Sequence, residues 1–333
     1  MIDLPTIWAG LICVALLAYV VLDGFDLGVG ILFPIAKNRR DRDTMMNSIA
    51  PVWDGNETWL VLGGAGLFAA FPLAYSILLT AFYAPLIAML LALVLRGVAF
   101  EFRFRTERWK HLWSAAFFGG SLLAAFSQGV MVGAFVQGVE TMERVYAGGW
   151  FDWLTPFTLL TGLALVAGYS LLGACWLVIK TGGELQGLML RLRIPLALAA
   201  TGLLFAVSLF TLFQNADVAA RWLTIGPNLV LWAIPGATGL ACLALLWTSA
   251  GGKEIAPFLC ALLLFALSFA GLAASLYPNL IPPSISYREA ANADGSLMFM
   301  LVGALVMIPV ILGYTAYSYF VFRGKVDPEH GYH

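Results

Sequence analysis

Apolar residues run through this chain in long, nearly unbroken stretches, with the charged positions gathered between them. Stretches long enough to matter fall at about 7–33, 49–71, 73–95, 112–136, 156–179, 195–214, 228–248, 256–276 and 297–322. A hydrocarbon core about 30 Å thick takes about 20 residues of helix to cross. With no water to satisfy the backbone there, helices are the form such runs adopt. Pro72, Pro85, Pro156, Pro195, Pro227, Pro257 and the Pro282-Pro283 pair stand mostly at run starts or in connections, where proline is best tolerated. The pattern predicts an all-α integral membrane protein of about nine transmembrane helices. Residues 1–333 form a single polytopic membrane domain, without a soluble module, a low-complexity segment or a clear internal repeat. The first run is preceded by Asp3 and by no Lys or Arg before Lys37, so it reads as a retained helix and not as a cleaved leader.

Composition sharpens this reading. Of 333 residues 61% are apolar and 11% are charged, against about 25% charged in an ordinary soluble domain. So little charge cannot cover a water-soluble protein of this size, and lipid must cover it. The net charge of −1 gives no footing to a nucleic-acid partner. Cys13, Cys175, Cys242 and Cys260 are widely spaced within apolar runs and read as small core or lipid-facing side chains.

The basic residues set an orientation. Numbering the connections in order, the odd ones and the C-terminus hold fourteen Lys and Arg: Lys37, Arg39, Arg40, Arg42, Arg103, Arg105, Arg108, Lys110, Lys180, Arg191, Arg193, Lys253, Arg323 and Lys325. The opposite side holds three, Arg144, Arg221 and Arg288, and Arg96 closes the third run. Nine spans with the N-terminus outside and the C-terminus cytoplasmic fit this split, and eight would break it.

Charged groups inside a bilayer are expensive and usually functional. Asp23 and Asp26 lie in the first run, within Asp23-Gly24-Phe25-Asp26-Leu27-Gly28-Val29-Gly30. Asp54 and Glu57 lie in the second, within Pro51-Val52-Trp53-Asp54-Gly55-Asn56-Glu57-Thr58-Trp59. Each pair has i, i+3 spacing and projects from one side of its helix. The alternating topology sets all four at one depth near the cytoplasmic end, with Arg96 and Glu101 of the third helix at the same level. Six ionisable groups near one depth suit a polar, hydrated path for protons, which Trp53 and Asn56 could line or gate. The blander reading has Asp54, Glu57, Arg96 and Glu101 as interfacial residues in contact with headgroups and water, and Asp23 and Asp26 in a structural ion pair.

Other polar positions read as structural. Gln128, Gln137, Gln214, Asn215 and Tyr169 are lone groups suited to hydrogen bonds between helices. Trp8, Trp59, Trp109, Trp113, Trp150, Trp153, Trp176, Trp222, Trp232 and Trp247 lie largely near run ends and read as interfacial belts first, and as a quinone or lipid groove second. Gly24/Gly28 and Gly129/Gly133 have the spacing of close helix contacts. The three histidines, His111, His330 and His333, lie outside the runs. A membrane haem usually takes axial His, Met or Cys from the spans. No metal constellation, phosphate-binding loop or dinucleotide fingerprint appears either. The chain by itself is therefore expected to bind no cofactor and to do no redox chemistry.

The two acidic motifs closely resemble subunit II of cytochrome bd-type quinol oxidases. Further similarity lies at Leu95-Arg96-Gly97-Val98-Ala99-Phe100-Glu101-Phe102-Arg103, Trp232-Ala233-Ile234-Pro235, Tyr277-Pro278 through Pro282-Pro283-Ser284, and Pro309-Val310-Ile311-Leu312-Gly313-Tyr314-Thr315-Ala316-Tyr317. The resemblance spans essentially the whole chain. It implies a haem-free subunit of nine helices, in two four-helix bundles plus one peripheral helix, in the bacterial cytoplasmic (inner) membrane. It implies an obligate partner, subunit I, holding two haems b and a haem d. That complex oxidises quinol (ubiquinol or menaquinol) and reduces O2 to water with protons drawn from the cytoplasm. Some members hold a structural quinone or a small single-helix accessory subunit. By motif, Asp54 with Trp53 corresponds to a position implicated in a proton path, and Asp23, Asp26 and Arg96 correspond to positions that support the haem region. The compact segment at about 215–227 is similar to the branch called cyanide-insensitive oxidases.

The rival class is a secondary transporter or channel with an intramembrane acidic site. A third reading is a purely structural assembly subunit.

Overall fold

The computed structural model describes residues 3–214, 216–223 and 229–327. Asn215, Pro227, His330 and His333 lie outside the described residues, as do the ends of the compact segment read at about 215–227. The chain begins with α1 (Leu4–Leu32), whose first turn is capped by the Asp3 side chain. The long helices that follow are α3 (Trp53–Ala70), α5 (Tyr83–Arg105), α6 (Lys110–Gln137), α7 (Pro156–Lys180), α8 (Gly183–Gln214), α10 (Ala233–Ala250), α11 (Ala256–Leu276) and α13 (Asp294–Val321). Short helices α2 (Arg39–Ile49), α4 (Pro72–Ala81), α9 (Ala216–Leu223) and α12 (Tyr287–Ala290) lie between them.

α1, α3, α5 and α6 pack into one four-helix bundle, and α7, α8, α10 and α11 into a second. α1 against α7 joins the two, while α13 leans on α1 and α3 from outside. Eight helices among the described residues are long and apolar enough to cross a membrane. α3 is not one of the eight: it opens on Asp54, Asn56 and Glu57 and is correspondingly less apolar.

The bundles join by bare backbone. A Cβ added at Gly28 would land on the carbonyl oxygen of Tyr169 in α7, and one added at Gly173 would sit 2.5 Å from the Val29 nitrogen. Gly129 meets Gly162 of α7 in the same way. Such approaches replace hydrophobic driving force with backbone packing, the usual device in lipid.

The two ends of the bundles differ. One carries the basic connections. There the Arg103 guanidinium holds Asp43 at 2.7 Å and Arg39 holds Glu107 at 2.5 Å, tying α2 to the α5–α6 turn. The hydrogen bond from Arg39 holds the Glu107 carboxyl below its ordinary range. Buried cations also close helix C-termini there, where carbonyls lack partners. Arg193 donates to Ser249 O and Lys253 O, and Lys180 to Phe322 O and Gly324 O. The other end carries two small hairpins, Thr141–Met142 with Val145–Tyr146 and Asn279–Ile281 with Ile285–Ser286.

Two segments depart from the hydropathy pattern. The run at 73–95 is not one span: 72–81 forms the separate helix α4, which packs on the hairpins, and the crossing helix is α5 at 83–105. Pro72 lacks the N–H to continue α3, and ten residues reach only about 15 Å. α2 falls in a stretch that reads as connection, yet its buried Thr44, Met45, Met46, Ser48 and Ile49 fold back against α1 and α7, where the two bundles meet. Trp176 Nε1 donates to Ser48 O at 3.3 Å. Trp8, Trp59 and Trp176 are buried and do not serve as belt residues.

Candidate functional site

α2 brings the chain back inward and Pro51 turns it, so the first turn of α3 opens beside the middle of the Leu22–Asp26 stretch of α1. The Asn56 amide proves the alignment, donating to Leu22 O at 3.3 Å and to Asp26 Oδ2 at 2.7 Å. α5 supplies the cation. Arg96 Nη2 lies 2.8 Å from Asp23 Oδ1 and 3.1 Å from Glu57 Oε2. Asp23, Asp26 and Arg96 have 0% exposure, whereas the Glu57 side chain keeps 26%. The Arg96 guanidinium also lies 5.8 Å from the ring of Trp53, which is itself stacked on Phe100 at 4.8 Å.

Three carboxyl groups thus face one guanidinium. Asp23 and Glu57 share it, and Asp26 has only the neutral Asn56 amide, with no ion pair among the described residues. Asp26 Oδ1, Arg96 Nε and Arg96 Nη1 are buried without a hydrogen-bond partner. Buried polar groups are nearly always satisfied, and charge in lipid must be balanced. Carboxyl groups thus outnumber the guanidinium three to one.

A second line of polar groups approaches from the core. Tyr169 of α7 donates to Gln128 Oε1 at 2.9 Å, and Gln128 of α6 donates to the Tyr19 hydroxyl at 2.7 Å. Tyr19 stands one turn before Asp23 on α1, so three helices converge on that acid. On the far side, Tyr319 of α13 donates to Asn56 Oδ1 at 2.9 Å.

The structure therefore brings together Asp23, Asp26, Glu57, Arg96, Asn56 and Trp53. It leaves out Asp54, which is exposed on α3 one turn from Glu57, and Glu101, which is 57% exposed and pairs with Arg105 at 3.4 Å. The shared depth of six ionisable groups thus resolves into four in contact and two on the surface. Gln128 and Tyr169 make the hydrogen bonds between helices expected of them, as links of one chain, and Gln137 donates to Gln214 at 3.4 Å. Tyr19 and Tyr319 escaped the sequence reading. A tyrosine four residues before a buried acid, and the dense polar run Tyr314-Thr315-Ala316-Tyr317-Ser318-Tyr319, were the signals available.

Among the described residues no three His, Cys, Asp or Glu side chains converge to hold a metal ion. His111, the one histidine among them, sits in the first turn of α6 at the basic end.

Fold and cluster together define a polytopic helical membrane protein with titratable groups held in its interior. The chain belongs to a family described as cytochrome bd terminal oxidase subunit II, whose sequence model matches residues 4–322. It is thereby a subunit of an oxidoreductase complex of the cytochrome bd type, with a subunit 1 as its counterpart. It is 32% identical over 97% of its length to cytochrome bd-I ubiquinol oxidase subunit 2 of Escherichia coli K12, covering 95% of that protein. It is 28% identical to cytochrome bd ubiquinol oxidase subunit 2 of Bacillus subtilis, over 98% of both chains. The fold is also that of a chain in the bd oxidase structure from Geobacillus thermodenitrificans, with a TM-score of 0.77 at 18% identity, covering 96% of this chain and 99% of that one.

Proposed function

We propose that this chain is the haem-free subunit of a quinol:O2 oxidoreductase and that its buried acids feed cytoplasmic proton uptake for the reduction of O2 to water. The haems, two b and one d, reside in subunit I, where quinol is oxidised. The basic end faces the cytoplasm, with the N-terminus outside. One observation carries the reading: Asp23, Asp26 and Glu57 surround the single guanidinium of Arg96, leaving carboxyl groups that only protons balance.

The surface beside the cluster supports the partnership. Asp54 and Thr58 are exposed on α3 among Val61, Leu91 and Leu95, which are 66%, 65% and 44% exposed. A carboxylate facing acyl chains is costly, so this face is covered by protein, and subunit I is the partner the family supplies. Glu57 and Asp54, one turn apart, then lead from the buried cluster to the covered face.

The test is Asp26→Asn in the whole oxidase, with Asp54→Asn beside it. Both variants are expected to assemble with a wild-type visible spectrum and to consume O2 at least about a hundredfold more slowly, the low end of the about 10²–10⁴ range of a positioned acid–base group. Wild-type turnover in Asp26→Asn overturns the proton role and leaves a scaffold. Solute movement by the purified chain alone in liposomes would favour the transporter class instead.

A further inference from the structure

A crevice separates the start of α3 from α13. Pro51, Gly55 and Asn56 line one side, and Tyr314, Ser318 and Tyr319 the other. Its mouth is open: Tyr314 is 64% exposed, and its ring edge is the nearest neighbour of a Cβ built on Gly55, at 3.8 Å. Its floor is the Asn56 amide. Behind that amide lies Asp26, with Oδ2 held by Asn56 and Oδ1 buried and without a partner.

Asn56 is fixed at both ends, Nδ2 on Asp26 and Oδ1 under the Tyr319 hydroxyl. A carboxamide donates and accepts but does not readily pass a proton through itself. For solvent to meet Asp26 the amide has to swing, and the bond from Tyr319 opposes that swing. On the opposite flank the acid pair is shut, because Tyr19, Gln128 and Tyr169 are bonded to one another in the core, 3%, 7% and 0% exposed. With that flank shut, the crevice leads to the acid that has no cation, while Glu57 opens toward the separate face beside Asp54.

We propose that the α3–α13 crevice is the water access to Asp26 and that Asn56, pinned by Tyr319, is its latch. The inference rests on Asp26 carrying protons, as proposed above. A hydronium ion in the crevice gives its proton to Asp26 Oδ1: an O–H bond forms on the carboxyl, one breaks in the hydronium, and a water molecule remains. Tyr319 is a positioning residue that acts only through Asn56.

Two variants of the whole oxidase move in opposite directions if this is right. Tyr319→Phe keeps the ring against Phe25 and Trp176, whose centroids lie 6.4 and 6.1 Å away, and frees the amide. It is expected to keep or raise kcat and to lower the solvent deuterium effect on kcat, with the KM for quinol unchanged. Gly55→Leu fills the crevice and is expected to lower kcat severalfold and to raise that isotope effect, with the haem spectrum intact. Two outcomes overturn the latch: wild-type kinetics in Gly55→Leu, or a Tyr319→Phe variant slowed in the same way.

If Gly55→Leu fails to assemble, Ser318→Cys replaces it, modified on the assembled protein with a small methanethiosulfonate and followed by mass. Inhibition on labelling supports the access; full labelling without inhibition, or no labelling, overturns it. Asp26→Asn separates the two levels. A slow Asp26→Asn with unaffected crevice variants sinks this inference alone, and a normal Asp26→Asn sinks the proton role beneath it.

Discussion

Arg96 Nη2 stands 2.8 Å from Asp23 Oδ1, and neither side chain has any solvent exposure. Two unit charges so placed attract strongly because the surroundings screen them poorly. Removing each from water is also expensive, so the pair is less a source of stability than a commitment: break it, and one charge is left buried alone.

Arg96→Gln is therefore expected to destabilise the assembled oxidase by about 3–5 kcal/mol. It leaves Asp23, Asp26 and Glu57 together without a cation. The double variant Asp23→Asn with Arg96→Gln should recover much of that loss, because an amide pair replaces the ion pair. Thermal unfolding of the purified complex, followed by its visible spectrum, measures both. A double variant no more stable than Arg96→Gln alone would show that the ion pair is not what Arg96 supports.

Much of this site was legible from residue order. Acids spaced i, i+3 in two successive apolar runs must meet if the runs are antiparallel neighbours, and Asp23, Asp26 and Glu57 do. Asn56, within the same motif, meets Asp26 as well. What order could not give is rotation about the helix axis. Asp54 and Glu57 are one turn apart, yet one faces out and the other faces Arg96. Depth along α5 was misjudged for a related reason. Hydropathy cannot separate an interfacial helix from a crossing one of equal apolarity, so merging 72–81 with the next run placed Arg96 at the end of its helix. With the crossing begun at Tyr83, Arg96 lies two turns inside it. α2 was invisible because its net polarity hides an apolar stripe, Met45, Met46 and Ile49, that only packing reveals.

The Tyr169–Gln128–Tyr19 line makes a second prediction. Gln128→Leu removes both hydrogen bonds at once and leaves the buried Tyr169 hydroxyl without an acceptor. Hydrogen bonds between helices in lipid contribute about 0.6–2 kcal/mol each. Gln128→Leu should therefore cost more than Tyr169→Phe, which strands only one amide oxygen. Since the two substitutions share a bond, the combined loss should fall short of their sum. Unfolding of the single and double variants gives the coupling, and strict additivity would mean that the line is not one connected unit.

The join between the bundles makes the last. At Gly28 a methyl group would occupy the position of the Tyr169 carbonyl oxygen, and no side chain can yield because the obstacle is backbone. α1 would have to move away from α7, disturbing Gly24, Gly173 and the approach of Tyr19 to Gln128 together. Overpacking of this kind costs about 1–3 kcal/mol or more where the neighbours are rigid. Gly119 makes the matched control, since a Cβ added there meets nothing within 4 Å on the same pair of bundles. Gly28→Ala is expected to lower the yield of assembled oxidase and its unfolding temperature, while Gly119→Ala leaves both at the wild-type level. The comparison isolates the contact, because both substitutions add the same methyl group and raise helix propensity equally. A Gly28→Ala protein as stable as the Gly119→Ala control would mean that the helices meet at a wider spacing than the backbone contacts of Gly28 with Tyr169 and Gly173 require.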